Sequence, residues 1–349
     1  MLPKNTRIGL LAPVTWSIPP KQYGPWEKVV GLLAKGLVQA GYTEVTVYAT
    51  EAVHIAGVHL HPFINEPLGE NPRSGSAAWE FLHVSCSLEH ANTHQDIIHN
   101  HLNYHPLLFN SFIKPPIVTT LHGSGIEEAG KVAYSEYKNL PYVSISNAER
   151  QFVPDLNYRA TVYNGLDFTH QPFVASPEPY LVHVGRMHPQ KGVHSAIQLA
   201  LKLSMPLYLA GLIQPEWQDY FDQQIAPFID DKKIIFLGNL PEAKVQDLVS
   251  KATAYSGLIE WEEPFGLSIA EALSCGTPAI ATPLGSHREL IQEGKTGILV
   301  RSVEEAVERF SEIKEIDRSV CRKTAQEMFS LETMTTGYLK VYQDALGIV

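Results

Sequence analysis

The sequence predicts an α/β protein of two doubly wound, parallel-sheet domains that face each other across a cleft. Three observations carry this expectation. Short runs rich in Val, Ile and Leu alternate with stretches of helical period, the pattern of βαβ units. The alternation restarts after Pro172-FVASPEP179, whose prolines and small residues suit a linker. A chain of 349 residues is long for one core and sufficient for two domains of ordinary size.

Taken in order, residues 7–13 (RIGLLAP) read as a strand, 27–39 as a helix stopped at Gly41, and 44–50 as a second strand. Further strands are expected at 81–85 (FLHVS), 97–99, 117–121, 142–146 and 160–164. In the second series they are expected at 180–185, 207–211, 233–238, 252–259 and 278–281. The domains then run 1–172 and 173–328. A C-terminal helix over 329–349, preceded by an interruption near Ser330, is expected to return to the first domain. In open α/β sheets ligands sit beyond the carboxyl ends of the strands, so functional residues should follow strands closely.

Composition narrows the function classes. The chain is 44% hydrophobic and 18% charged, with a net charge of -10 and no basic block of the kind that tracks phosphate backbones. Residues 1–165 carry a net of -2 and 10 of the 15 histidines; the remainder carries -8. No apolar run reaches the ~18 to 20 residues of a membrane span. The N-terminal MLPKNTRIGLLAPVTW has too short an apolar stretch for a signal peptide and no small-residue cleavage site. Cys86, Cys275 and Cys321 are far apart and fit neither a disulfide framework nor a zinc site. The expected location is cytoplasmic, with a peripheral contact at the inner face of the membrane left open.

Two stretches carry chemistry. Val184-GRMHPQKG192 follows a strand and offers Arg186 and Lys191 on one loop, a pair suited to clamping a diphosphate. An ordinary βα loop with solvated charges is the alternative, and the glycine spacing of a Walker A motif is absent. In Glu263-PFGLSIAE271, a helix starting near Leu267 would aim its first amides, around Gly266 to Ser268, at an anion. Glu271 lies one turn further along, in an apolar helix where a carboxylate needs partners. A sugar or ribose diol would supply two hydroxyl donors; a salt bridge to an Arg or Lys is another explanation, and for Glu263 a capping acid at the helix start is a further one.

The ordered motifs Tyr23-GPWE27, Asp96-IIHNH101, Val118-TTLHG123, Ser144-ISNAER150, Val162-YNGLD167, Gly185-RMHPQKG192, Glu263-PFGLSIAE271 and Gly294-KTGILV300 cover the chain nearly end to end. Together they resemble the family 4 retaining glycosyltransferases of the GT-B fold, whose hallmark is two glutamates separated by seven residues. The resemblance implies a hexosyl transfer from a nucleotide diphosphate sugar to a hydroxyl of a saccharide, lipid-linked glycan or small molecule. It implies that Glu271 binds the ribose, that Arg186 and Lys191 hold the diphosphate, and that Glu263 faces the transferred sugar. Gly24, Gly185, Gly238, Phe265, Gly266, Leu267 and Ser268 would complete the donor site. His122 would lie near the donor sugar, with Tyr23, Trp26, His99 and His101 on the acceptor side. No metal and no cofactor are expected, and a UDP-sugar is slightly favoured over GDP-mannose as donor. Partners are then the nucleotide sugar and its acceptor, without nucleic acid.

Two departures stand out. Tyr23-Gly-Pro-Trp-Glu27 has Pro25 where the family usually has a second glycine, and Gly285-Ser286 stands where two glycines are usual. Pro25, lacking an N–H, either loses a contact to phosphate or sugar or simply starts the helix. Three rivals are weighed. A sugar-nucleotide epimerase would need its own acid/base set. A nicotinamide-dependent oxidoreductase would want G-x-G-x-x-G after the first strand, which residues 9 to 24 do not supply. An inactive sugar-binding module is opposed by the intact set of Arg186, Lys191, Glu263 and Glu271.

Overall fold

In a computed structural model of the protein, the structure describes residues 1–21, 23–50, 55–71, 76–123 and 128–348. Contacts divide the chain into two units: Met1–Gly165 with Leu331–Val349, and Leu166–Ser330. The first unit's strands are β1 Ile8–Leu11, β2 Val45–Thr50, β3 His59–Ile64, β4 Ile97–Asn100, β5 Ile117–Thr120, β6 Tyr142–Ser144 and β7 Tyr158–Thr161. The second unit's are β8 Glu178–Val184, β9 Leu207–Ala210, β10 Ile234–Phe236, β11 Ala252–Gly257, β12 Ala279–Ala281 and β13 Gly297–Leu299. The α-helices of eight or more residues are α1 Pro25–Gln39, α2 Ser76–His94, α3 Glu128–Glu136, α4 Val193–Leu203, α5 Glu242–Lys251, α6 Leu267–Ser274, α7 Arg318–Phe329 and α8 Leu331–Ala345.

Among the described residues the first unit holds one sheet of order β3-β2-β1-β4-β5-β6-β7, and the second one of order β10-β9-β8-β11-β12-β13. Every pairing is parallel. The strand order therefore reverses between β1 and β4 in the first unit, and between β8 and β11 in the second. In open α/β sheets ligands bind beyond the carboxyl ends of the strands at such a reversal.

Helix α1 follows from its sequence. Gly24, at φ 156°, precedes Pro25 at the first helical position, where a missing N–H costs little. Val29, Val30, Leu33, Ala34 and Leu37 recur at helical spacing and are buried. Helix α8 inserts Leu331, Met334, Tyr338, Val341 and Tyr342 into the same core. The two helices approach closely at Gly36, where a Cβ would fall 2.1 Å from the Thr335 hydroxyl. Between α7 and α8 the chain is extended at Ser330. In the second unit the buried Arg318 guanidinium donates to the carbonyls of Val174, Ser250 and Ala252 and to the Thr277 hydroxyl. It satisfies carbonyls at the end of α5, the start of β11 and the segment before β8.

Two expectations are corrected, and two strands, β3 and β13, were not anticipated. Residues 81–85 are not a strand but lie within α2, which buries Val84, Leu88 and Ala91 at spacings of four and three and leaves Phe81 and Leu82 exposed. A five-residue apolar run is too short to separate a period of 3.6 from one of 2. The strand expected at 160–164 is Tyr158–Thr161. Strand β3 went unanticipated because HLHPFI carries Pro62 and reads as a loop; it is the outermost strand, where a proline is tolerated. Among the described residues no helix is long and apolar enough to cross a membrane.

Glu27, in the first turn of α1, is 2% exposed and accepts the Trp16 amide at 3.0 Å. Burial pushes its carboxyl up to about 7, against which the amide bonds pull only partly. A raised carboxyl favours the folded state below the unfolded value near 4.5, and that contribution is lost as pH climbs through about 7. Denaturant titrations from pH 4.5 to 8 should therefore show wild type losing on the order of 3 kcal/mol that Glu27→Gln does not lose. Parallel pH slopes for the two proteins would contradict this.

Candidate active site

The second unit assembles its site from the two loops that flank its switch point. After β8, Gly185 donates its amide to the Ala210 carbonyl and Met187 donates to Leu212, so the loop leans toward β9. At Gly192, φ is 68° and a Cβ would meet the Leu258 carbonyl oxygen at 1.7 Å, so only glycine fits. That close approach lets the Glu260 amide reach the Gln190 carbonyl at 2.9 Å, joining the β8 loop to the loop after β11.

Side chains complete the join. Lys191 Nζ lies 2.5 Å from Glu263 Oε2, with the two side chains 20% and 13% exposed. Trp261 Nε1 donates to the same oxygen at 2.8 Å, and Lys191 Nζ sits 4.8 Å from the indole centroid. Both bonds fall on Oε2. The peptide of Glu263 is held from the far side: its carbonyl accepts the Ser286 amide at 2.9 Å. A Cβ on Gly285 would come within 2.3 Å of that peptide. The Gly285-Ser286 departure thus packs directly on Glu263.

Pro264 and Phe265 then turn inward; Phe265 is 3% exposed and meets Phe329 edge-on at 5.8 Å. Gly266, at φ 79°, is the N-cap of α6. No acidic residue occupies the first turn of α6, and Glu263, three residues before its N-cap, has its Cγ 3.7 Å from where a Gly266 Cβ would stand. Leu267, Ser268 and Glu271 are the half-buried positions of a helix otherwise buried, and their spacing of three and four sets them on one face. An anion at the helix start and a hydroxyl pair at Glu271 would therefore be met from the same side.

Several residues here were not anticipated from the sequence. The Tyr255 hydroxyl lies 2.9 Å from the Val184 carbonyl and 2.8 Å from the Ser268 hydroxyl, tying the end of β8 to the first turn of α6. Burial pushes that phenol well up, and the nearby Glu263 and Glu271 charges add to the effect. His287 donates Nδ1–H to the Thr282 carbonyl at 3.1 Å, and a Cβ on Gly266 would lie 3.3 Å from its Nε2. Burial lowers His287 to about 4 although Glu263 opposes the shift. The legible signal for these was composition alone: a Trp, a Tyr and a His placed just after or within strands.

Arg186 is half-buried on the β8 loop and donates to Gln214 Oε1 at 2.8 Å. Gly238 follows β10, two strands away from β8, with its carbonyl accepting the Gly211 amide. It is the outlying member of the donor set within the second unit; Gly24, also expected there from the sequence, lies in the first unit ahead of α1.

The first unit gathers its own group. His122, after β5, lies with Nε2 2.9 Å from His101 Nδ1. The Trp26 ring stands 5.6 Å from the His122 ring, centroid to centroid. Tyr23 is half-buried, 6.3 Å from the Trp16 ring. Beside His122, the Glu149 carboxyl accepts the amides of Gly123 and Ile145. His99 is fully buried, its Nδ1 2.7 Å from the Tyr342 hydroxyl and its Nε2 2.7 Å from the Thr120 hydroxyl. It has no ring nitrogen left for an acceptor. Among the described residues, no cluster of three or more His, Cys, Asp or Glu side chains is arranged to hold a metal ion.

Known proteins resemble the chain in sequence and in fold. Residues 168–328 match the family model described as glycosyl transferases group 1. That segment carries Arg186, Lys191, Glu263 and α6. The chain is 25% identical over 266 residues to the N-acetyl-alpha-D-glucosaminyl L-malate synthase of Bacillus anthracis, covering 66% of this chain and 68% of that one. It is 25% identical over 342 residues to a glycogen synthase of Mycobacterium tuberculosis, covering 82% and 80%. Among solved structures, a sucrose-phosphate synthase of Thermosynechococcus elongatus aligns at TM-score 0.82 with 17% identity, over 99% of this chain and all of that one. Anabaena HepE, solved with UDP and glucose, aligns at TM-score 0.75 with 20% identity, over 97% of this chain and 100% of that one. These likenesses establish the fold as two parallel-sheet, Rossmann-like domains of the GT-B kind.

The Lys191–Glu263 pair gives a direct test. Lys191→Met and Glu263→Gln should each destabilise the protein by about 1–3 kcal/mol. In urea titrations the double variant should lose about 1 kcal/mol less than their sum. Strict additivity would mean the two side chains do not bond in solution.

Proposed function

We propose that the protein is a retaining glycosyltransferase that moves a hexosyl group from a nucleotide diphosphate sugar to an acceptor hydroxyl. One observation carries the reading: on adjoining loops at the second unit's switch point, Lys191 bonds Glu263, and α6 starts just after Glu263 with no acidic residue in its first turn. Its chemistry matches a sugar diphosphate in parts. The α6 amides and Lys191 suit the diphosphate, with Arg186 reaching it from the same loop as Lys191. The Glu271 carboxylate suits the ribose diol. Glu263, with Oε2 occupied by Lys191 and Trp261, presents Oε1 to hydroxyls of the transferred sugar. The names of the relatives, which include sugar-transferring synthases, and a fold-mate solved with UDP and glucose support this class of donor.

In the step itself, the bond from the anomeric carbon to the β-phosphate oxygen breaks and the acceptor oxygen bonds to that carbon. The acceptor proton passes to the departing phosphate. Negative charge grows on the diphosphate, so catalysis comes from positioning and from Lys191, Arg186 and the helix amides. Glu263 is tied on one oxygen by a cation and an indole, which suits a hydroxyl acceptor better than a nucleophile. Attack on the same face as departure then preserves the anomeric configuration. The reaction as proposed uses no metal and no cofactor, and a UDP-sugar is the preferred donor over GDP-mannose. The residues of the first unit, His122 with Trp26 and Tyr23, are assigned to the sugar and the acceptor. The protein is proposed to act in the cytoplasm.

A thermal-shift panel of UDP-, GDP-, ADP- and TDP-sugars tests this. At 100 times Kd, a true donor stabilises by about 2.7 kcal/mol, which is a rise of roughly 2–4 °C. Glu271→Ala should abolish the rise, and product NMR should show retained configuration. A panel without any shift, or a shift untouched by Glu271→Ala, counts against the assignment.

A further inference from the structure

His101 and His122 share one short contact, and its proton has a direction. Nδ1 of His101 and Nε2 of His122 are 2.9 Å apart, with ring centroids at 5.2 Å. A neutral imidazole has one N–H and one lone pair, so only one ring can donate in this contact. Burial lowers His122 to about 3 and His101 well below the usual range, so both rings are neutral at physiological pH. The neighbouring His99 cannot share the proton, because Tyr342 and Thr120 take both its nitrogens.

Two arrangements remain. If His122 donates from Nε2, the N–H of His101 must sit on its own Nε2, which is buried and has no hydrogen-bond partner. If His101 donates from Nδ1, the same buried atom is left only as an unused lone pair. An orphaned buried N–H is the rarer defect, unused acceptors being better tolerated. The two arrangements also leave His122 with opposite faces. In the first its Nδ1 is a lone pair; in the second it is an N–H.

We propose that His101 is a positioning residue whose Nδ1–H holds His122 in the Nδ1–H tautomer, so that His122 meets its ligand as a hydrogen-bond donor and not as a base. The chemistry is consistent with this. A base titrating near 3 is far from the operating pH and would be a weak proton acceptor, whereas a neutral imidazole N–H donates at any pH above that value. The ligand group it fits is an acceptor oxygen, such as a sugar hydroxyl or phosphate oxygen. The assignment of that oxygen rests on the glycosyltransferase reading above; the tautomer itself does not.

Two-bond 1H–15N correlation spectra of 15N-histidine-labelled protein decide the tautomer, with His122 identified by the loss of its signals in His122→Gln. Between pH 6 and 8 the His122 Nδ1 should be protonated and Nε2 a hydrogen-bonded lone pair. A wild-type spectrum with the proton on Nε2 overturns the proposal, whether or not any variant folds. His101→Asn places an amide N–H at the same branch and should keep the Nδ1–H signature. His101→Asp can only accept and should move the proton to His122 Nε2; an unmoved proton overturns the control assigned to His101. Donor turnover should fall about 100-fold in His101→Asp and stay within about tenfold of wild type in His101→Asn. If the tautomers behave as stated but turnover is equal in the two variants, the role of His122 as donor to the ligand is overturned while the tautomer holds.

Discussion

The Lys191–Glu263 bond is the constraint on which the second unit's site depends. It joins two loops that leave different strands, β8 and β11, at the reversal of strand order. Without it, two long side chains would each keep their rotamer freedom, and the loops would keep the backbone join at Gln190 and Glu260 and the His194–Glu260 contact. With it, the cation and the carboxylate are already oriented before any ligand arrives. Trp261 strengthens the arrangement twice, through its N–H to the carboxylate and its ring face toward the ammonium. Gly192 and Gly285 are the steric conditions for the bond, since a Cβ at either would push the loops apart.

A different economy governs the first unit. Its strand ends carry histidines and threonines into the interior, and their polar atoms are matched with hydroxyls from α8. His99 is held between Tyr342 and Thr120, and Thr120 in turn donates to Tyr338 at 3.1 Å. A chain segment more than 200 residues downstream therefore sets the polar lining beneath β4 and β5. Removing α8 would expose the hydrophobic core it fills and strand these groups without partners, a double cost.

Much of this was legible in the sequence and some was not, for identifiable reasons. The parallel strands β1, β4, β5, β8 and β9 lie inside their sheets, so β1 and β9 read as apolar runs and β4, β5 and β8 as short apolar stretches extended by polar residues. Arg186 and Lys191 could be placed after β8, and Glu263 and Glu271 around the start of α6, because the chain's grammar puts loops there. What the sequence could not show was which side chains touch. Lys191 and Glu263 are 72 residues apart, and His99 and Tyr342 are 243 apart. No local pattern encodes such meetings, so the engagement of both His99 nitrogens was invisible. The α2 segment failed for the opposite reason: the evidence was local, but the window read was shorter than two helical turns.

Hydrogen–deuterium exchange with and without the best nucleotide sugar addresses the central claim most directly. The account predicts that ligand slows exchange at the amides of Gly266, Leu267 and Ser268 and in the loop from Gly185 to Gly192, and that Glu271→Ala removes the effect. Protection confined to other segments, with these amides unchanged at saturating ligand, would contradict the placement of the donor on α6 and the Lys191–Glu263 surface.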